Sequence, residues 1–224
     1  VISAMPDYTV PRSTAFVLTA NATDAENDPL TYTWEQVDDA SSPIITTTGN
    51  NVTGALFRSL PPVSSPTRYF PKFSLVMAGI LTSQSDWESV SNVARISNYR
   101  VTVRDNHPVK EQQQTSFANQ KIAVGSDGPF KINIVSGENI YGGAATKLTW
   151  DVANTNAAPY NVANVKISYT VDNGATWTGL AASTPNDGSE TVVIPVSLVG
   201  QSNLQFRIEA LGNVFYAVSP KANV

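Results

Sequence analysis

The chain has 224 residues, of which 42% are hydrophobic and 14% charged, with a formal net charge of −4 and no cysteine. That length suits one large domain or two of ordinary size, and the charge balance supplies no basic field for nucleic acid or an anionic membrane. Disulfides and thiol chemistry are excluded, no apolar run approaches the roughly 20 residues a bilayer span needs, and the absent leader pattern suits a mature protein or an excised fragment.

Thr, Ser, Asn, Gly and Pro are plentiful while Lys and Glu are sparse, a balance that favours short strands joined by turns over surface helices. In the first half, apolar and polar residues alternating with period two predict strands over 14–21, 29–37, 95–104 and 117–124. Leu30, Tyr32 and Trp34 share one strand face, as do Tyr99, Val101 and Val103, so these strands supply facing core layers. Between them, residues 38–92 carry Pro43, Pro61, Pro62, Pro66 and Pro71. Proline removes a backbone donor and fixes φ, so this stretch cannot be one central strand. It is expected to wrap the sandwich, with a short helix near Phe73–Ala78, and an excursion of this length is either functional or holds elements that the pattern does not reveal.

Gly125-Ser-Asp-Gly-Pro129 gathers turn formers between two strands and is the predicted boundary. The second half shows strands over 130–135, 145–152, 164–171, 190–195, 204–210 and 214–218. The clearest faces are Val165, Ile167, Tyr169, Val171 and Leu204, Phe206, Ile208, Ala210. Turn signals at Gly142-Gly143, Asn173-Gly174, Asp187-Gly188 and Gly212-Asn213 set the rhythm of an immunoglobulin-like sandwich. The expected fold is all-β: two tandem immunoglobulin-like or fibronectin-like β-sandwiches, residues 1–126 and 127–224, with Trp34 and Trp150 in different cores.

Catalytic chemistry finds little to work with. The only histidine, His107, sits in the turn sequence Asp105-Asn-His-Pro108, and with no second His and no Cys there is no ordinary zinc ligand set. No Gly-x-Ser-x-Gly elbow accompanies it. Acidic pairs such as Asp38-Asp39 and Asp86 with Glu88 read as hydrated loop carboxylates. No catalytic residues are assigned. Thr170-Val-Asp172-Asn-Gly174-Ala-Thr176-Trp177 resembles the Asp-box hairpin, in which the aspartate accepts turn N–H groups, the glycine takes positive φ and the tryptophan covers the hairpin.

Asp24-Ala-Glu26-Asn-Asp28-Pro-Leu-Thr-Tyr32 has two readings. Alternate acidic side chains, with Asp105 or Asn106 from the neighbouring turn, can converge on calcium, which takes six to eight oxygens. Alternatively the loop is an Asx-type turn in which Asp24 and Asn27 satisfy backbone donors. Calcium is the one cofactor the sequence suggests, with Asp24, Glu26, Asp28 and Asp105 as its ligands. Trp87 and the Tyr69-Phe70 pair beside Pro71 offer a carbohydrate or peptide platform, or else anchor the long loop to the core. The sequons at Asn21 and Asn51 carry meaning only in a eukaryotic secretory pathway.

Taken together, several short motifs carry a family resemblance. They are Asp7-Tyr-Thr-Val-Pro11, Phe16-Val-Leu-Thr19, Ala22-Thr-Asp24, Asp28-Pro-Leu-Thr-Tyr-Thr-Trp-Glu-Gln36, Leu56-Phe-Arg-Ser59 and Tyr99-Arg-Val-Thr-Val-Arg-Asp-Asn106. The second half adds Gly128-Pro-Phe130, Leu148-Thr-Trp-Asp-Val152, Asn154-Thr-Asn-Ala-Ala-Pro159, Asn186-Asp-Gly-Ser-Glu-Thr191 and Gly212-Asn-Val-Phe215. The set resembles the non-catalytic β-sandwich region that follows the protease domain in secreted bacterial reprolysin-like zinc metallopeptidases, and it covers almost the whole chain. The resemblance implies a PKD- or cadherin-like first half, an immunoglobulin-like second half, a secreted or cell-surface location, and a protease domain in cis. The zinc motif His-Glu-x-x-His-x-x-Gly-x-x-His of such enzymes does not occur here. Two functions are expected: an accessory region of a secreted protease that spaces, stabilises or docks substrate, or a stand-alone adhesive or glycan-binding module that recognises a protein or glycan surface.

Overall fold

The structure, a computed structural model, describes residues 1–42 and 44–224; Pro43 of the irregular stretch lies outside the described residues. The strands are β1 (Tyr8–Val10), β2 (Ala15–Thr19), β3 (Leu30–Gln36), β4 (Thr67–Phe70), β5 (Thr82–Ser83), β6 (Glu88–Ser89), β7 (Arg95–Asp105) and β8 (Thr115–Val124) in the first half. The second half adds β9 (Lys131–Ile132), β10 (Ala145–Asp151), β11 (Asn164–Thr170), β12 (Thr178–Pro185), β13 (Ser189–Val193), β14 (Gln205–Ala210) and β15 (Phe215–Val218). The helix α1 (Phe73–Met77) is the short one expected near Phe73–Ala78.

The protein is an all-β sandwich. One sheet has the order β1-β8-β7-β3, a second β13-β10-β9, and a third β12-β11-β14-β15-β2-β4. Alternation explains the layering: on β7, Arg95, Ser97, Tyr99, Val101 and Val103 face inward and are buried, while Ile96 and Asn98 are exposed. Trp34, opposite Val101 on the neighbouring strand, is buried in the same layer.

The third sheet corrects the expectation of two separate cores. Its strands β12, β11, β14 and β15 come from the second half and β2 and β4 from the first, joined where Phe215 pairs with Phe16 and Tyr216 with Ala15. Trp34 and Trp150 accordingly belong to one contiguous apolar cluster. The physical reason is the cost of an open edge: β15 would present unpaired backbone and an apolar face, and β2 supplies both a ladder and a matching face.

The predicted boundary is a turn fixed to both halves. The Arg12 backbone N–H donates to the Asp127 carbonyl at 2.9 Å, Arg12 Nε donates to the Ser126 carbonyl at 2.9 Å, and the Phe130 N–H donates to Thr14 Oγ1 at 3.0 Å. Gly128, at φ 130°, lies so close to Arg12 that a Cβ would stand 2.3 Å from its carbonyl oxygen, which is why glycine is needed there. From the other half, Tyr160 Oη donates to the Asp127 carboxylate at 3.2 Å.

Candidate functional site

The acidic loop takes the turn geometry. Asp24 Oδ2 accepts the backbone N–H groups of Glu26 and Asp28, each at 3.0 Å, around Asn27 at φ 63°. Asp28 instead faces His107, whose Nε2 lies 3.9 Å from its carboxylate, and Asp105 Oδ1 accepts the Gln114 N–H at 2.7 Å. The pairing of Leu30 with Asp105 does bring the two segments together, and Asp24 and Asp105 line one cavity of about 80 Å³. Glu26 and Asp28 are not among its walls. Among the described residues no group of three or more His, Cys, Asp or Glu side chains is placed to share a metal ion. Asp24 and Asp105 are thus each engaged by backbone N–H groups of their own turns, and Asp28 by His107. His107 serves its own turn as well, with Nδ1 accepting the Val109 N–H at 3.1 Å.

The long excursion is held by two arginine clasps that the sequence did not announce. Arg68 on β4 points inward and is 8% exposed; its Nη1 donates to the Trp34 carbonyl at 2.5 Å, and its Nη2 to the Arg58 carbonyl and Glu88 Oε1, both at 2.7 Å. Glu88 is fully buried, and its Oε2 accepts the Lys72 N–H at 3.0 Å. Burial pulls the Arg68 guanidinium down and pushes the Glu88 carboxyl up, and the ion pair between them opposes both shifts. Arg95 makes the second clasp: its Nη1 donates to the Asn51 carbonyl at 2.9 Å, and its Nη2 to the Gly54 carbonyl at 2.8 Å and to Asp38 at 3.3 Å. Asp38 also accepts the Asn98 side-chain amide at 2.7 Å. A guanidinium carries five donors, so one side chain ties several loop carbonyls to the sheet without a local strand.

The Asp-box residues form the expected hairpin. Thr170 Oγ1 donates to Asp172 Oδ1 at 2.6 Å and accepts the Gly174 N–H at 3.0 Å, while Thr176 donates to Asp172 through N–H at 2.9 Å and through Oγ1 at 2.6 Å. The hydroxyls of Thr170 and then Thr176 hold the Asp172 carboxyl down at about 2. The tip leans on the first half. A Cβ at Gly174 would stand 2.7 Å from the Phe73 ring, the Phe73 and Trp177 rings meet edge-on at 6.4 Å, and the Arg207 guanidinium lies 4.3 Å over Trp177. Gln205 Nε2 donates to the Met77 carbonyl at 3.1 Å. Helix α1 therefore covers the outer face of the shared sheet, and Trp177 covers an inter-half contact as well as its own hairpin.

Two cavities flank this helix. A groove of about 690 Å³ runs between β15 and the extended segment 129–135, with Val76 and Leu81 above it. A cleft of about 220 Å³ lies on the opposite side, between β3 and β4, walled by Tyr32, Trp34, Arg68, Tyr69, Lys72 and Phe73. Of the aromatics expected to form a platform, Phe70 is wholly buried in the core, and Trp87 is half-buried at φ 55°. Tyr69 alone of these lines the cleft. The signal missed in the sequence is Arg68, an inward-facing cation between two prolines in what reads as a loop.

No protein-family model matches the chain, and no curated protein matches it. Among solved structures the chain is similar to mouse cadherin-23 EC22–24, at 14% identity and a TM-score of 0.30, over 97% of this chain and 62% of that one. It is also similar to the cadherin-like domains 1 to 4 of zebrafish RET, at 9% identity and a TM-score of 0.17, over 87% and 41%. The chain thus spans less than two thirds of either structure, and with overlaps this low the fold rests on the strands and sheets described above.

Proposed function

We propose that this chain is a non-catalytic accessory region of a secreted bacterial zinc metallopeptidase, acting in cis with the protease domain as a spacer, stabiliser or substrate-docking surface. In this reading residues 1–126 are the PKD/cadherin-like part and residues 127–224 the immunoglobulin-like part of one unit. The observation that carries it is the six-stranded sheet shared by both halves. A continuous ladder, together with the stapled turn at Ser126–Asp127, transmits orientation from one half to the other, which a spacer needs and a flexible tether does not supply. The motif set running through both halves supports the metallopeptidase parent.

The deciding experiment is to sequence the reading frame upstream of Val1. A catalytic domain carrying His-Glu-x-x-His-x-x-Gly-x-x-His is expected there. A frame without one overturns the accessory reading and leaves the adhesive module, secreted or at the cell surface, in its place.

A further inference from the structure

β9 is the outer strand of its sheet and is held by β10 alone. Trp150, opposite Ile132, gives its N–H to the Gly188 carbonyl on the β13 side at 3.0 Å, while the Asn133 N–H reaches the Thr149 carbonyl at 2.9 Å. Backbone groups alternate in direction along a strand, so Ile132 and Ile134 turn their N–H and C=O groups away from β10, toward the groove of about 690 Å³ that both residues line. Among the described residues nothing meets either N–H.

The opposite wall is a second open edge. Ser219 gives its N–H to the Phe206 carbonyl on β14 at 2.9 Å, so Val218 turns its own N–H and C=O to the β2 side. β2 starts at Ala15, opposite Tyr216, and Ser13, which would stand opposite Val218, is turned at φ 54° and bonded to the Ser91 carbonyl. The groove therefore continues the seam between the halves. The first half fills the start of each edge, with Ala15 on Tyr216 and Thr14 Oγ1 on the Phe130 N–H at 3.0 Å, and leaves the rest open. The outer edge of β13 differs, since the Asp187 and Glu190 carboxylates accept the N–H groups of Ser189 and Thr191 at 3.2 and 2.7 Å.

An unpaired strand edge takes a further strand, whose main chain supplies the hydrogen bonds and whose alternate side chains fill the space beside it. Val76, Leu81, Ile134, Val135 and Pro220 make the walls apolar. Among the described residues the one charged side chain lining the groove is Lys131, which Asp151 holds at 3.3 Å. The Gly137 N–H on the Lys221 carbonyl at 2.7 Å closes the far end, which leaves room for about five residues at about 3.3 Å each. We infer that the groove binds an extended, uncharged peptide segment of a partner protein, added as a strand along Ile132 and Ile134 with apolar side chains at alternate positions. This site does not depend on the metallopeptidase parent.

The test is an NMR titration of the isotope-labelled full chain with acetylated, amidated pentapeptides of the sequences Thr-Val-Thr-Val-Thr, Thr-Leu-Thr-Leu-Thr and Thr-Phe-Thr-Phe-Thr, each to about 1 mM, about ten times a Kd of about 0.1 mM. Saturable shifts of the Ile132 and Ile134 amides, with slowed hydrogen exchange at both, are expected with at least one peptide. The Thr191 amide, already bonded to Glu190 on β13, stays fixed as the internal reference. The binding peptide N-methylated at every residue keeps its side chains and loses its donors, and is expected to bind at least about tenfold more weakly. Ile134→Pro removes one outward N–H at an edge position, where proline is tolerated, and is expected to weaken binding about tenfold. The wild-type titration decides even if Ile134→Pro misfolds. No saturable shift at Ile132 and Ile134 with any of the three peptides, or equal binding of the N-methylated form, overturns the proposal.

Discussion

Phe16 on β2 lies directly across the ladder from Phe215 on β15. The Phe16 ring stacks on Phe70 at 5.0 Å and 8°, and the Phe215 ring meets Phe130 edge-on at 5.1 Å. The seam between the halves is therefore an aromatic row, in which each first-half ring is buried against a neighbour and continues into a second-half pair.

Cutting into that row should destabilise the whole molecule at once. Phe16→Ala and Phe215→Ala are each expected to cost about 3–5 kcal/mol, the range for emptying a buried aromatic site. Calorimetry of the wild type should show one cooperative transition, and each variant one transition at lower Tm. Two separable transitions, with only one moved by each variant, would mean that the halves melt independently.

The Arg68–Glu88 clasp gives a sharper contrast. Removing one member leaves the other charge buried and unpaired, so Glu88→Ala is expected to cost about 3–5 kcal/mol in urea unfolding. The double change Arg68→Met with Glu88→Leu removes both charges and should recover most of that loss. A Glu88→Ala cost under about 1 kcal/mol would show that the excursion is held by other contacts.

Acid stability should depend on Asp172. Its carboxyl titrates at about 2 when folded, below the ordinary aspartate value of 3.8, because Thr170 and Thr176 bond the ionised form. A depressed folded value means the stabilisation is fully present above the unfolded value and is lost as pH falls through about 2. The Tm difference between wild type and Asp172→Asn should be constant above about pH 5 and shrink between about pH 4 and 2. A difference that stays constant down to pH 2 contradicts the assignment.

Asp24 caps a turn, so Asp24→Ala should cost about 1 kcal/mol, the ordinary value of a lost side-chain-to-backbone cap. Melting with millimolar calcium and with chelator separates the two readings of the loop. The same loss in both supports the turn. A Tm that rises with calcium in the wild type and not in Asp24→Ala would show the carboxylates closing on a cation.

The strands most legible in the sequence are those whose own side chains alternate, β3 with Tyr32 and Trp34, β7 with Tyr99 and Val101, β11 and β14, and the predicted segments also hold β2, β8, β10, β13 and β15. β4 escaped because one of its two inward residues is Arg68, so the alternation reads as polar, and Pro66 and Pro71 bracket it. β12 escaped because it is an edge strand of small, partly exposed residues with register shifts against β11. The partnership of β2 with β15 left no local signal, since pairing is written in the match of two distant faces rather than in either segment. The same holds for the cleft, whose walls are brought together by long-range bonds: Arg68 to Trp34 and Glu88, Trp34 to Pro66, and Tyr32 with Val63. The acidic loop was legible as a turn, because Asp24 stands just ahead of the Glu26 and Asp28 N–H groups that it accepts.

The ladder between β2 and β15 also sets an order of events in time. β15 (Phe215–Val218) is synthesised long after β2 (Ala15–Thr19), so the central sheet cannot close until Val218 has emerged from the ribosome. Until then Phe16 and the inner face of β2 have no partner on that side, and the first half carries an unfinished sheet edge that invites pairing with other chains. Contacts this distant in sequence also make folding slow, because the loop entropy is spent before the contacts form.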